Sequence, residues 1–456
     1  MKLLDRYKNL YITLLIVLPL FFSIFADASL FSIFINNLIP VRLVLVALNL
    51  LGVLYIFKKR LNIKSVFKDG LFISLSAFIL FSFLSYFYTP DLKTYFSMIA
   101  FYVNLLIFYA VLSVFSKKIK TKLNIFESTF YYLLVFINSL SLVIGLRTYY
   151  LLLYGGYWGP VRVVSTITDE NHYAMFLVIG IFVTLYFIFT KYQNHSWLNY
   201  LLLFFSVVLL SATKSRSGFL ALFAGITIYF TISLWKHLFS LKKLTLTLTF
   251  LFLAIVFGFY IFKPFTTTGV VRYTNDLTQK EVHTPTYTLI KTPYKFSYFD
   301  KYVENLLPDS LSGASIKAHL ALIYSSIVMG IKHPVFGVGV GGFNDTLVNS
   351  NLIELYARYD PQAATSKNFP AHSMYGKAFG EGGFIGLFLY LAILFYMGKK
   401  YWFNFKHAKD YNNKVLALSF ISIFGGFLVF SIFYNVHEEW FWVPAFLGLI
   451  IVKTSK

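Results

Sequence analysis

The chain has 456 residues, of which 58% are hydrophobic and only 13% charged, and Phe alone occurs 53 times. A soluble domain carries about 25% charged residues and would need a far larger polar skin to hide this much apolar surface. The formal net charge of +21 comes from 40 Lys and Arg against 19 Asp and Glu. The basic residues fall in short clusters beside apolar runs, where anionic headgroups attract them, and not in a stripe with interleaved aromatics, which excludes nucleic acid as a partner. Cysteine is absent, so disulfides and cysteine-based metal sites are excluded too.

Apolar runs of a length to cross roughly 30 Å of hydrocarbon as helix predict twelve spans. They lie near 10–26, 37–57, 70–88, 96–116, 127–145, 173–190, 199–212, 218–235, 244–262, 384–398, 415–433 and 440–453. The first has a basic flank like a signal peptide but no small-residue cleavage site, and is read as a retained helix. Lys2, Arg6 and Lys8 precede it, and the even-numbered gaps then carry the charge, from Lys58-Lys59-Arg60 through Lys117-Lys118 to Lys399-Lys400 and Lys414. More than half of the basic residues sit in these segments, which by the positive-inside rule places both termini in the cytoplasm. Three units follow: spans one to nine in 1–262, an outer loop region in 263–383, and spans ten to twelve with the tail in 384–456. Within the loop region, 320–331 is apolar but only twelve residues long, which predicts a helix at the outer surface or packed over the bundle and not a crossing.

Three predicted outer stretches hold residues with chemical potential. In WGPVRVVSTITDENHYAMFL (158–177) Arg162, Asp169, Glu170, Asn171 and His172 precede a span. Asp169 or Asn171 can simply cap the helix, whereas Arg162 gains nothing from a cytoplasmic leaflet. In LLSATKSRSGFLALFAG (209–225) a loop of a few residues pins Lys214 and Arg216 at the membrane edge. Arg216 either offers a fork of donors to a phosphate or snorkels without a ligand. The third stretch pairs GIKHPVFGVGVGGFND (330–345) with FPAHSMYGKAFGEGGFIGLF (369–388). Its glycines half-match a phosphate loop, but no Lys-Ser/Thr follows, and close packing beside Pro334 is the better reading. His372 is either polar surface or a general base for a sugar hydroxyl. No ligand pair has metal spacing, so the candidate site is cationic plus histidine, suited to an anionic lipid-linked substrate.

In order, TITDENHYAMFL, ATKSRSGFLAL, KHPVFGVGVGGF and AHSMYGKAFGEGGFIGL resemble the O-antigen ligase and O-antigen polymerase superfamily of bacterial envelopes. The resemblance implies an all-α, polytopic, GT-C-like membrane protein of the cytoplasmic (inner) membrane with its active site on the outer face. It implies transfer of a glycan from undecaprenyl diphosphate, with inversion and without cofactor or metal, to a hydroxyl of another lipid-linked repeat unit (polymerase) or of the lipid A core (ligase). A chain-length regulator protein is a further implied partner. By position, Arg216 matches the arginine that grips the donor diphosphate and His372 the catalytic histidine, with Asn171 and Glu381 in support. The family usually has HN where this chain has His372-Ser373. It also usually has an arginine where His319 stands, with Lys317 close by; Arg272 and Arg162 are candidates to replace it. These departures lean the reading to the polymerase. The rival class is a polysaccharide transporter or flippase, which should show repeated halves with polar residues inside the spans; no such repeat is seen.

Overall fold

The structure is a computed structural model that describes residues 2–23, 40–154, 169–190, 196–261, 311–357, 369–435 and 439–455. Among these the fold is all α-helix, and the one β feature is an isolated bridge between Ala408 and Thr454. Among the described residues, nine long helices precede residue 262: α1 Lys2–Ser23, α2 Pro40–Lys58, α3 Gly70–Leu84, α4 Leu92–Val114, α5 Leu123–Tyr154, α6 Glu170–Phe189, α7 Ser196–Thr213, α8 Arg216–Trp235 and α9 Leu241–Ile261, with a single turn Ser116–Ile119 between α4 and α5. The rest comprises α10 Leu311–Lys332, two short helices α11 Phe343–Val348 and α12 Leu352–Ala357, then α13 Met374–Lys406, α14 Tyr411–Phe433 and α15 Glu439–Ile451.

Each of the twelve predicted spans overlaps a helix, and residues 24–26, 37–39 and 262 of those spans lie outside the described residues. Among the described residues, eight helices are long and apolar enough to cross a membrane, while α1, α7 and α15 carry shorter apolar stretches. The chain is a polytopic membrane protein. Its centre is α6, in which all residues from His172 to Phe189 are buried. A helix apolar on every side is stable only when neighbours surround it, and α7, α8 and α14 pack around it. The closest pairing, α8 on α14, depends on small residues that let backbones approach. A Cβ on Gly426 would come within 2.7 Å of the Ala221 carbonyl oxygen, and one on Gly225 within 2.9 Å of that of Ser422.

The region between α9 and α13 differs from expectation in extent. α10 runs for 22 residues, ten more than its apolar core, because its first turns (LSGASIKAHL) are helix-compatible though polar. It packs along the start of α13, where Ser326 is buried and a Cβ on Gly380 would approach the Ser326 carbonyl to 2.7 Å.

α13 is sharply kinked at Gly383 (φ 60, ψ −158), one residue before the start of its predicted span. A kink of this kind strips backbone groups of their helical partners. The loop 333–342 supplies replacements: Phe384 N donates to the Pro334 carbonyl (2.7 Å), Gly339 N to that of Glu381 (2.9 Å) and Val338 N to that of Gly380 (2.9 Å). Gly337 approaches so closely that a Cβ there would collide with the Glu381 backbone. The glycines therefore serve close packing, as the sequence indicates. At the other end of α13, Lys400 pairs with Asp69 at 2.6 Å, and Asp69 caps α3 through Leu71 N.

Candidate active site

Three helices start in the same region of the bundle, each with a side-chain cap. Asp169 begins α6, its Oδ1 accepting from Asn171 N (2.8 Å) and His172 N (2.9 Å). Ser215 begins α8, accepting from Gly218 N at 3.1 Å. Ser373 begins α13, accepting from Gly376 N at 3.1 Å. Helix N-termini present positive dipole ends and unpaired amides, which favour anions.

Side chains tie these starts together. Ser215 Oγ donates to Asn171 Oδ1 at 2.6 Å, locking the start of α8 to that of α6. Tyr434, directly after α14, donates its hydroxyl to Asp169 Oδ2. The Tyr434 ring lies 5.1 Å from that of His172 and 5.5 Å from that of His372. His172 is itself buried, with Nε2 3.1 Å from the Asn435 carbonyl oxygen. His372 then meets His319 of α10, Nδ1 to Nδ1, at 2.9 Å.

Two residues here hold left-handed backbone conformations that side chains other than glycine seldom adopt. His372 has φ 52 and Lys214 has φ 55. The turn 214–215 between α7 and α8 leaves Lys214 half-buried and Arg216, the first residue of α8, exposed. At His372 the backbone turns directly into the Ser373 cap, which aims the imidazole back toward α10 and Tyr434. Burial, and secondarily the neighbouring His319, push the His372 imidazole well below the ordinary histidine value, so it is neutral at neutral pH and able to take a proton. Burial and the Asp169 carboxylate raise the Tyr434 phenol, which keeps it protonated as a donor.

The structure thus gathers His372, His319 and Asn171, and places Lys214 and Arg216 beside the Ser215 cap that Asn171 holds. Lys317 is buried on α10, two residues before His319. Glu381 lies further along α13, where it is buried; its Oε1 is 3.7 Å from Lys377 Nζ and 3.4 Å from Phe343 N. Arg162 and Arg272 lie outside the described residues. Tyr434 was not expected from the sequence; the available signal was a tyrosine at the end of a span predicted to finish on the same side as His372. Asp169 was read as a cap, which it is, but its second oxygen also anchors Tyr434.

An apolar cavity of about 50 Å³ lies between α3, α4 and α13, lined by Phe78, Phe81, Tyr102, Met374, Lys377 and Tyr390 among others. Met374, two residues after His372, is on its wall, but neither histidine lines it. No group of three or more His, Asp or Glu side chains suited to a metal occurs among the described residues.

Residues 201–391 match a family model described as O-antigen ligase. That stretch runs from α7 into α13 and takes in Lys214, Arg216, Lys317, His319, His372 and Glu381. No curated protein matches the chain. The matched segment is similar to that family and holds both the paired histidines and the basic turn.

Proposed function

We propose that this protein transfers a glycan from undecaprenyl diphosphate to the hydroxyl of an acceptor, on the outer face of the cytoplasmic membrane. The observation that carries the reading is the half-buried His372, in the segment the family model matches, with Nδ1 2.9 Å from His319 Nδ1 and its ring 5.5 Å from that of Tyr434. His372 takes the proton of the acceptor hydroxyl, whose oxygen attacks the anomeric carbon. The anomeric C–O bond to the diphosphate breaks on the opposite face, so the centre inverts. Arg216 and Lys214, at the start of α8, stabilise the charge that collects on the departing lipid diphosphate. Diphosphate is already a good leaving group, so no general acid and no divalent metal are needed.

The family description favours the ligase form, with lipid A core as acceptor, over the polymerase to which the sequence leans. A deletion strain separates the two. Full-length polymer stranded on its carrier lipid supports the ligase. Single repeat units attached to the acceptor, with no polymer, would move the assignment to polymerase. Unchanged surface glycan would remove the transferase reading.

A further inference from the structure

Two imidazole nitrogens 2.9 Å apart cannot both carry a proton toward each other, and without a proton between them the contact would set two lone pairs face to face. The Nδ1–Nδ1 contact of His319 and His372 therefore contains one donated proton. The rings cross at 73° with centroids 4.0 Å apart, an edge-on approach consistent with a hydrogen bond rather than a stack. The two residues are 53 apart in sequence. Their helices are held in fixed register by Ser326, seven residues along α10, which packs onto Gly380 of α13. The positive φ of His372 is a local cost that brings its Nδ1 to this partner.

From this geometry we infer that His319 is a positioning residue: it accepts the Nδ1 proton of His372 and so fixes His372 in the tautomer whose Nε2 lone pair faces the acceptor hydroxyl. The inference rests on the reading of His372 as the base. It gives His319 a role different from the phosphate contact suggested by its place in the sequence. If the proton sat the other way, His372 would hold its proton on Nε2 and could not act as a base there.

The proton count closes. Before transfer each imidazole carries one proton, on Nδ1 of His372 and Nε2 of His319. The acceptor O–H proton moves to Nε2 of His372, and the acceptor oxygen bonds to the anomeric carbon. The electron pair of the broken C–O bond leaves on the lipid diphosphate. The positive charge now on His372 strengthens the Nδ1–H···Nδ1 bond, so His319 also supports the imidazolium until the proton is lost to solvent. An orienting group of this kind works through the base and not through the donor.

The test measures steady-state transfer by the purified full chain, with an undecaprenyl-diphosphate-linked glycan as donor. It compares His319→Ala, His319→Asn, His319→Arg and His372→Ala with the native protein. An asparagine carbonyl oxygen can occupy the place of the histidine Nδ1 and accept the same proton, whereas alanine and arginine cannot. We expect His319→Ala and His319→Arg to lower kcat about 10- to 100-fold, no more than the lower end of the roughly 10²–10⁴-fold a general base supplies, with the KM for donor little changed. His319→Asn should recover most of kcat. A raised donor KM with kcat retained, or rescue by arginine but not asparagine, would show a phosphate contact and overturn the inference. Native kcat in His319→Ala, with His372→Ala inactive, would overturn the pair while leaving the base intact. Native kcat in His372→Ala would instead overturn the base and the pair together. His319→Asn keeps size and polarity, so a folding defect in the alanine variant leaves the question open to decision by the asparagine arm.

Discussion

Tyr434→Phe is the most informative small perturbation of the site. The substitution deletes one hydroxyl and keeps a ring that lies 5.5 Å from His372 and 5.1 Å from His172. Asp169 Oδ2 loses its phenolic donor, while Oδ1 keeps both amide bonds that cap α6. A hydrogen bond to a charged group contributes about 1.5–3 kcal/mol. Asp169 is only half-buried, so water can replace part of the lost bond and the lower end applies. About 1.4 kcal/mol corresponds to a tenfold rate change. We therefore expect Tyr434→Phe to lose about 1.5 kcal/mol of stability, seen as a lowered melting temperature, and its kcat to fall no more than about tenfold. Tyr434→Ala, which removes the ring supporting His372, should fall by more than about 100-fold, toward the loss of the base itself. The assay is lipid-diphosphate-dependent transfer by purified protein, with detergent-solubilised melting as the folding control. If Tyr434→Phe is as damaging as Tyr434→Ala, the hydroxyl takes part in the chemistry and the supporting role is wrong.

Arg216→Ala should weaken donor binding as well as rate, and Arg216→Lys should restore only part of both, since a lysine lacks the paired donors of a guanidinium; donor KM and kcat read this directly. Because His372 is held below the ordinary histidine value of about 6.5, transfer should stay at its plateau through pH 6.5. Activity should fall only at lower pH, as the imidazole protonates, and an acidic limb centred above 6.5 would contradict the burial argument. Gly383→Ala forces φ 60 on a residue with a Cβ that would meet Val335 C at 2.5 Å and the Pro334 carbonyl oxygen at 2.6 Å. It should cost at least about 2 kcal/mol and lower the melting temperature together with activity. The native chain has no cysteine, so exposed Asn349→Cys should label with an impermeant thiol reagent in intact cells after outer-membrane permeabilisation, and exposed Lys118→Cys should not; the reverse would invert the proposed orientation.

The helices were legible because each apolar run is long and bounded by charge, so hydropathy alone marks them. The kink of α13 was half legible: GEGGF marks the place where the predicted span begins, but the sequence does not say that loop 333–342 completes the broken backbone bonds. The full length of α10 was hidden, since its polar first turns look like loop by composition and acquire their meaning from packing on α13. Within the site, Asp169 reads correctly as a cap because capping is local. The contacts of His372 with His319 and Tyr434 join three helices distant in sequence, and no spacing rule reports such a meeting.

The central claim is that His372 is the base of a lipid-linked glycan transfer. Its most direct test is turnover of an undecaprenyl-diphosphate-linked glycan by the purified protein, with EDTA present, comparing native protein with His372→Ala. The account predicts turnover by the native protein under EDTA and a loss of about 10²–10⁴-fold in the variant, with donor binding largely kept. Near-native turnover by His372→Ala would contradict it.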